Sequence, residues 1–210
     1  MRRLFLASIL LTAALGGCES FGDHSGGFIA DNVSAAFIPL THDSYYLYRD
    51  CGAAVVIAPG IAVTNAHNRD VLGDGVQILG ESHDRDLLFF RTDKAATPVF
   101  SRPVEGENVV AYGLGARKEL REARGFVKYV KWPVAPRCNG CAPQTGFAYL
   151  ANAGPGFSGG PVVDAASGAI LGITFGYLDQ DGHRFMFAYS IAQVRNELAR
   201  IEGKLPTEIE

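Results

Sequence analysis

Apolar residues come along this chain in short runs, each broken by a turn signal. Residues 51–58 are almost wholly apolar, Pro59-Gly60 follows, and Ile61-Ala62-Val63-Thr64 begins the next run. Runs of that length bounded by Pro and Gly read as buried strands, and the two together as a hairpin. The same reading places strands at 76–79, 87–90, 99–100, 108–112, 125–130, 147–150, 161–164, 169–175 and 185–189. A first strand or packed arm is expected over 28–39, with aromatic strand material at 45–48. Residues 118–124 read as a solvated hairpin or loop, and residues 131–145 as a loop marked by prolines and cysteines. Only the C-terminal stretch changes period. There Ile191, Val194, Leu198 and Ile201 recur at helical spacing behind Ser190, a capping residue, and Gly203 stops the helix. Many short strands with one terminal helix predict an all-β barrel architecture.

Composition agrees and narrows the function classes. Among 210 residues, 48% are hydrophobic and 20% charged, as in a globular protein with a proper core. The 25 glycines and 10 prolines suit a turn-rich β fold better than a helical bundle. A net charge of −3 without a basic stripe argues against a nucleic-acid partner. No repeat and no interdomain linker interrupts the pattern.

The first residues carry a different message. Arg2 and Arg3 precede an apolar run over 4–15 that is too short to span a bilayer. It ends in Leu15-Gly16-Gly17-Cys18, which resembles the cleavage box of bacterial lipoproteins. That resemblance implies a signal peptide over 1–17 and a lipid on Cys18, anchoring the chain to a membrane of the cell envelope. Glu19 favours the outer over the inner membrane, and a plain secretory signal is the alternative. A tether is expected over 18–27, one domain over 28–203, and a tail over 204–210. In an exported chain disulfides persist. Cys138 and Cys141 can close on each other, or one of them can pair with Cys51. A redox role for Cys138-Asn139-Gly140-Cys141 would need a βαβ setting, and a zinc site a fourth ligand; neither is present, so no metal or cofactor is expected.

Candidate chemistry centres on Gly154-Pro155-Gly156-Phe157-Ser158-Gly159-Gly160-Pro161. Glycines let the backbone turn tightly and leave a face open to a substrate. A serine in such a turn can set its own N–H and that of Gly156 toward one small space, as acyl transfer requires. Serine needs a base, and the base needs an orienting group. His67 ends the apolar strand Val63-Thr64-Asn65-Ala66-His67, and Asp86 opens the apolar run Asp86-Leu87-Leu88-Phe89-Phe90.

In this order, these three motifs resemble those of the trypsin-fold serine proteases, especially the bacterial Deg-type branch. Thr174-Phe175-Gly176 is similar to that family's substrate-pairing edge strand, and Phe187-Ala188-Tyr189-Ser190-Ile191 to the strand-to-helix junction that closes the domain. The resemblance implies two antiparallel six-stranded β-barrels with a C-terminal α-helix, and a serine endopeptidase acting on protein or peptide substrates. It implies Ser158 as nucleophile, His67 as general base and then acid, Asp86 as orienter, and an oxyanion hole from the N–H groups of Gly156 and Ser158. It places Asn152 at the base of the primary pocket, where a neutral side chain disfavours Lys and Arg, and Thr174, Phe175, Gly176 and Tyr177 along its walls. Two features depart from the family. His67 and Asp86 are only 19 positions apart, so the first barrel is expected to lack a hairpin. Phe157 stands where a small or polar residue is common, and is expected to shape the leaving-group side. Two rival readings are a protease-fold binding module that does not cleave, and a serine esterase. The esterase elbow needs a helix directly after the serine, whereas Gly159-Gly160-Pro161-Val162-Val163 reads as a strand.

Overall fold

The computed structural model describes residues 21–43, 49–134 and 144–204. The expected signal peptide, Cys18, the aromatic strand at 45–48, Cys138, Cys141 and nearly all of the tail lie outside the described residues. Strand β1 is Asp23–His24, followed by helix α1 at Asp31–Ala36, then β2 at Phe37–Asp43, β3 at Arg49–Ala58, β4 at Ile61–Thr64, β5 at Ile78–Glu81 and β6 at Leu88–Arg91. Strands β7 at Asn108–Leu114, β8 at Leu120–Val134, β9 at Gln144–Ala151, β10 at Pro161–Asp164, β11 at Ile170–Gln180 and β12 at His183–Ser190 lead to helix α2 at Ile191–Ile201.

The strands form two antiparallel sheets. The first runs β2-β3-β4-β6-β5, five strands among the described residues rather than the six expected for each barrel. The short link from His67 to Asp86 leaves room for β5 alone between β4 and β6. The second runs β8-β7-β10-β11-β12-β9, and the pairing of β9 back onto β8 joins its ends. The two-residue β1 adds to the outside of β8, pairing Asp23 with Glu122 and His24 with Arg121.

Successive side chains point to opposite faces, and both faces are buried here, so the strands read as unbroken apolar runs. On β3, β4 and β6, Ala53, Val55, Ile61, Val63 and Phe89 face the second sheet, where they meet Val110, Tyr112, Leu114, Ile170 and Ile173. Their neighbours Ala54, Ala62, Leu88 and Phe90 fill the inside of the first sheet. In the second sheet Val109, Ala111, Phe147, Tyr149, Val162 and Leu171 fill the interior. The largest cluster therefore lies between the two sheets and welds them.

Several sequence expectations are revised. Residues 28–39 hold a short helix before β2, because Val33 and Ala36 need to be buried while Asp31 does not. Residues 99–100 make only an isolated bridge, Phe100 to Ile170. Residues 131–134 belong to β8, whose Trp132 pairs with Gly146. Of the stretch expected as a tether, residues 21–27 are described, and they touch the second sheet. Ser25 N–H donates to the Leu120 carbonyl (3.0 Å), Ser25 Oγ to Glu122 (2.9 Å), and Ile29 N–H to the buried Tyr112 hydroxyl (2.9 Å).

Helix α2 starts on a capping box, in which Gln193 N–H donates to Ser190 Oγ and Ser190 N–H to Gln193 Oε1. It returns to the first sheet, where a Cβ on Gly80 would lie 2.6 Å from Ile201. Gly80 is the gap in β5 that admits the helix.

Candidate active site

The site is assembled at the junction of the two sheets. Chain leaving β4 enters a 3-10 turn at Ala66–Val71, which carries His67. Residues 82–87 lead into β6 and carry Asp86. The sequence folds this way because Asn65 is fully buried and its amide donates to the Asp86 carbonyl at 2.9 Å, lacing the two segments together.

His67 Nδ1 lies 2.5 Å from Asp86 Oδ2, and His67 N–H donates to Asp86 Oδ1 at 3.1 Å. Asp86 N–H in turn donates to Tyr189 Oη at 3.3 Å. One aspartate thus receives both N–H directions of one histidine and is itself held from two sides. The histidine side chain is 48% exposed and the aspartate 22%, so the pair sits at a solvent-open edge. Among the described residues the other imidazole nitrogen has no hydrogen-bond partner.

Ser158 comes from the second sheet, between β9 and β10. Two consecutive turns shape its loop. Phe157 N–H donates to Gly154 O at 3.1 Å, and Gly160 N–H to Phe157 O at 2.9 Å. Each turn has a glycine at its third position with positive φ, Gly156 at +92° and Gly159 at +80°, the pattern of type II turns. Pro155 sits at the second position of the first turn, where its fixed φ belongs. Ser158 holds the equivalent place in the second turn.

The loop is pinned from both sheets. Ser158 O accepts from Ala53 N–H at 2.9 Å and from Asn68 Nδ2 at 3.0 Å. Asn68 follows His67 directly and also donates to Thr64 Oγ1 at 2.9 Å. Leu114 N–H donates to Gly156 O at 3.0 Å, Gly159 N–H to Thr174 O at 2.9 Å, and Thr174 N–H to Gly160 O at 2.9 Å. The N–H groups of Gly156 and Ser158 donate to no partner among the described residues. The carbonyls of Gly154, Gly156, Phe157, Ser158 and Gly160 are therefore engaged, and the two N–H groups expected to form an oxyanion hole are unengaged. Ser158 Oγ makes no hydrogen bond to His67 among the described residues.

Thr174 lies beside the serine loop, its backbone bonded to Gly159 and Gly160. It is 1% exposed, and its hydroxyl bonds the fully buried Tyr149 hydroxyl at 2.8 Å; burial raises the Tyr149 pKa far above the ordinary phenol range. A register shift between Thr174 and Gly176 bulges Phe175 out of the β11–β12 ladder. Phe175 stacks on Tyr189 at 4.2 Å between ring centres, and Phe187 and Trp132 continue the aromatic row at 6.2 and 5.9 Å. Tyr177 is exposed at the far end. Asn152 is exposed on the bend after β9. Phe157 departs from its expected place. It is fully buried in the interior of the second barrel, with Gly22 and Gly113 against it, rather than lining the leaving-group side. Cys51 is disulfide-bonded and so offers no thiol.

Sequence reasoning missed Asn65, Asn68 and Tyr189. The first two flank His67 and were readable as polar residues in an apolar setting. The bond from Asp86 to Tyr189 spans 103 positions, which no local pattern signals.

Two antiparallel sheets of this topology make the fold seen in solved trypsin-like, HtrA-type protease structures. No protein-family model matches the sequence, and no curated protein matches it. Solved structures do match. The Rv3671c protease of M. tuberculosis in its active form aligns with a TM-score of 0.67 at 20% identity, over 85% of this chain and 86% of that one. Its inactive form aligns at 0.65 and 19%, over 82% and 92%. The HtrA-type protease AlgW with a tripeptide aligns at 0.62 and 22%, over 84% of this chain and 64% of AlgW.

Proposed function

We propose that the chain is a serine endopeptidase of the bacterial cell envelope, held to a membrane by a lipid on Cys18. The observation that carries the reading is the contact of His67 Nδ1 with Asp86, 2.5 Å, beside a serine turn that is bonded to Asn68, the next residue. Ser158 Oγ attacks the scissile carbonyl while His67 Nε2 takes its proton. Asp86 keeps the other imidazole proton on Nδ1 and stabilises the imidazolium. The N–H groups of Gly156 and Ser158 receive the oxyanion. His67 then protonates the leaving amine, and water repeats the sequence on the acyl-enzyme. Phe175 and Gly176 pair with substrate backbone, the N–H and carbonyl of Thr174 being taken by Gly160 and Gly159, and Phe175 offers an apolar wall, so substrates are extended peptides with apolar side chains before the cleaved bond.

One observation favours the rival reading of a non-cleaving binding module, namely that Ser158 Oγ and His67 are not hydrogen-bonded here. Such bonds often tighten only when substrate is present. Labelling with a fluorophosphonate probe separates the two. The wild-type chain is expected to label and Ser158→Ala not to. A wild-type chain that stays unlabelled while a reference serine protease reacts would leave the binding module as the better reading.

A further inference from the structure

We propose that Glu197, on the C-terminal helix, is a positioning residue that sets Asp86 against His67; this rests on the protease reading above. Glu197 is 4% exposed, although most of its helix neighbours that are buried are apolar. Its carboxylate faces the segment that carries Asp86. Ser82 Oγ donates to Glu197 Oε2 at 2.9 Å, and the Arg85 guanidinium pairs with Glu197 Oε1. Arg200, one turn further on, reaches the same oxygen at 3.3 Å.

The segment is a small closed unit. Ser82 N–H donates to Leu87 O at 2.9 Å, and Leu87 N–H to Arg85 O at 2.9 Å. Arg85 N–H donates to Ser82 Oγ at 3.0 Å. Asp86 lies between Arg85 and Leu87, so moving either end moves its carboxylate. Glu197 grips this unit at Ser82 and Arg85. Tyr189, two residues before the helix begins, grips Asp86 itself, and Arg85 lies 5.9 Å over its ring.

Stability does not explain this arrangement. Removing a carboxylate and a guanidinium from water costs more than apolar packing of the same volume, and apolar replacements of buried ion pairs are often neutral or stabilising. Ile201 and Gly80 already dock the helix on β5. An ion pair with a hydroxyl bond adds direction, fixing one loop at one height and angle. The loop so fixed holds the residue whose oxygen must meet a ring nitrogen at 2.5 Å.

The test compares Glu197→Gln, Arg85→Met and the double variant Glu197→Met/Arg85→Met with wild type and Ser158→Ala. Glu197→Gln leaves Arg85 buried beside a neutral partner and is expected to lose stability. The double variant removes both charges together with the Glu197 acceptor of the Ser82 hydroxyl, and is expected to melt below wild type by no more than the cost of one buried hydrogen bond. On a cleaved peptide its kcat is nevertheless expected to fall about 10- to 100-fold with KM little changed, the scale of a misplaced reacting group. A double variant that regains wild-type kcat together with wild-type stability would show that the ion pair only holds the helix down, and would overturn the proposal. Proton NMR of the His67 Nδ1–H reads the contact to Asp86 whether or not the chain cleaves anything. Its downfield signal is expected in wild type and Ser158→Ala and shifted or lost in the double variant; an unchanged signal there would also overturn the proposal. A wild-type chain with that signal but without labelling or cleavage would instead overturn the protease reading alone.

Discussion

Replacing Asp86 by asparagine tests the Asp–His pair with almost no change in volume. The carboxylate accepts twice from His67, at Oδ1 from the backbone N–H (3.1 Å) and at Oδ2 from the ring (2.5 Å). An asparagine amide has one acceptor and one donor group in their place. The backbone N–H of His67 cannot change its character, so the amide oxygen must stay with it. The amide NH2 then faces ring Nδ1, which can accept only if its proton has moved to Nε2. That is the nitrogen required to take the serine proton, so the variant holds its base in the wrong tautomer. Loss of this alignment in a Ser-His-Asp site costs about 10,000-fold in turnover, equivalent to about 5 kcal/mol of transition-state stabilisation. The fold should survive, because the bonds from Asn65 and to Tyr189 use the Asp86 backbone and not its carboxylate. The assay is the second-order rate of fluorophosphonate labelling at neutral pH, with Ser158→Ala as the blank and thermal unfolding measured alongside. Labelling of Asp86→Asn within tenfold of wild type, with an intact fold, would refute the tautomer argument and the role given to Asp86.

Three further outcomes follow from the same geometry. Gly156→Ala forces a Cβ to within 2.0 Å of the Leu114 carbonyl at a φ of +92°, so labelling should fall about 100-fold, the scale of one lost oxyanion donor, while far-UV circular dichroism is kept; unchanged labelling would exclude that donor. Phe157→Ala empties a fully buried site in the second barrel and should cost about 3–5 kcal/mol in urea unfolding; a loss below about 1 kcal/mol would mean that the loop is not anchored by this ring. The Asp164 carboxyl is held below its ordinary range, first by the Ser167 hydroxyl and then by the N–H groups of Ala166 and Ser167. Its contribution to stability is therefore complete above the ordinary aspartate pKa and fades as pH falls through the lower folded value, so Asp164→Ala should destabilise at neutral pH and flatten the acid limb of the stability curve.

Strands buried on both faces were legible because nothing polar interrupts them; β4 and β10 begin and end where the apolar runs do. Helix α2 was legible from spacing and its cap. Helix α1 was not, since six residues give too few turns for a period to show. The end of β8 was hidden because Lys131 and Pro133 are exposed there, and only the ladder to β9 makes them strand. At the site, His67 and Asp86 stood out because each marks a change from apolar strand to polar loop, and the structure brings them into contact. Phe157 failed because an aromatic residue between two glycines looks like surface, whereas tight turns on both sides direct it inward. Glu197 carries a faint signal. It sits one position before Leu198 and three after Val194, inside the apolar stripe of the helix, which is where a charge is either an error or a device.

The serine turn shows why its glycines differ from ordinary loop glycines. In a type II turn the peptide between the second and third residues has one orientation; rotating it by half a turn gives a type I turn with the same ends. For Gly154 to Phe157 that peptide joins Pro155 to Gly156, and its N–H is the proposed oxyanion donor. The ends of the turn are fixed from outside, with Gly156 O on Leu114 N–H and Phe157 buried in the barrel. The flanking anchors therefore do not choose between the two orientations, and the choice falls to the third residue. Glycine tolerates the positive φ of the type II form without the penalty that a side chain brings. An L-residue there would be relieved of its clash with Leu114 O by rotating the peptide and withdrawing the N–H. Ser158 escapes this constraint because it occupies the second position of its own turn, where φ is negative and a side chain is unhindered. The need for glycine at 156 and 159, and for a side chain at 158, is thus one requirement of turn geometry, and it places a hydroxyl next to two uncommitted N–H groups.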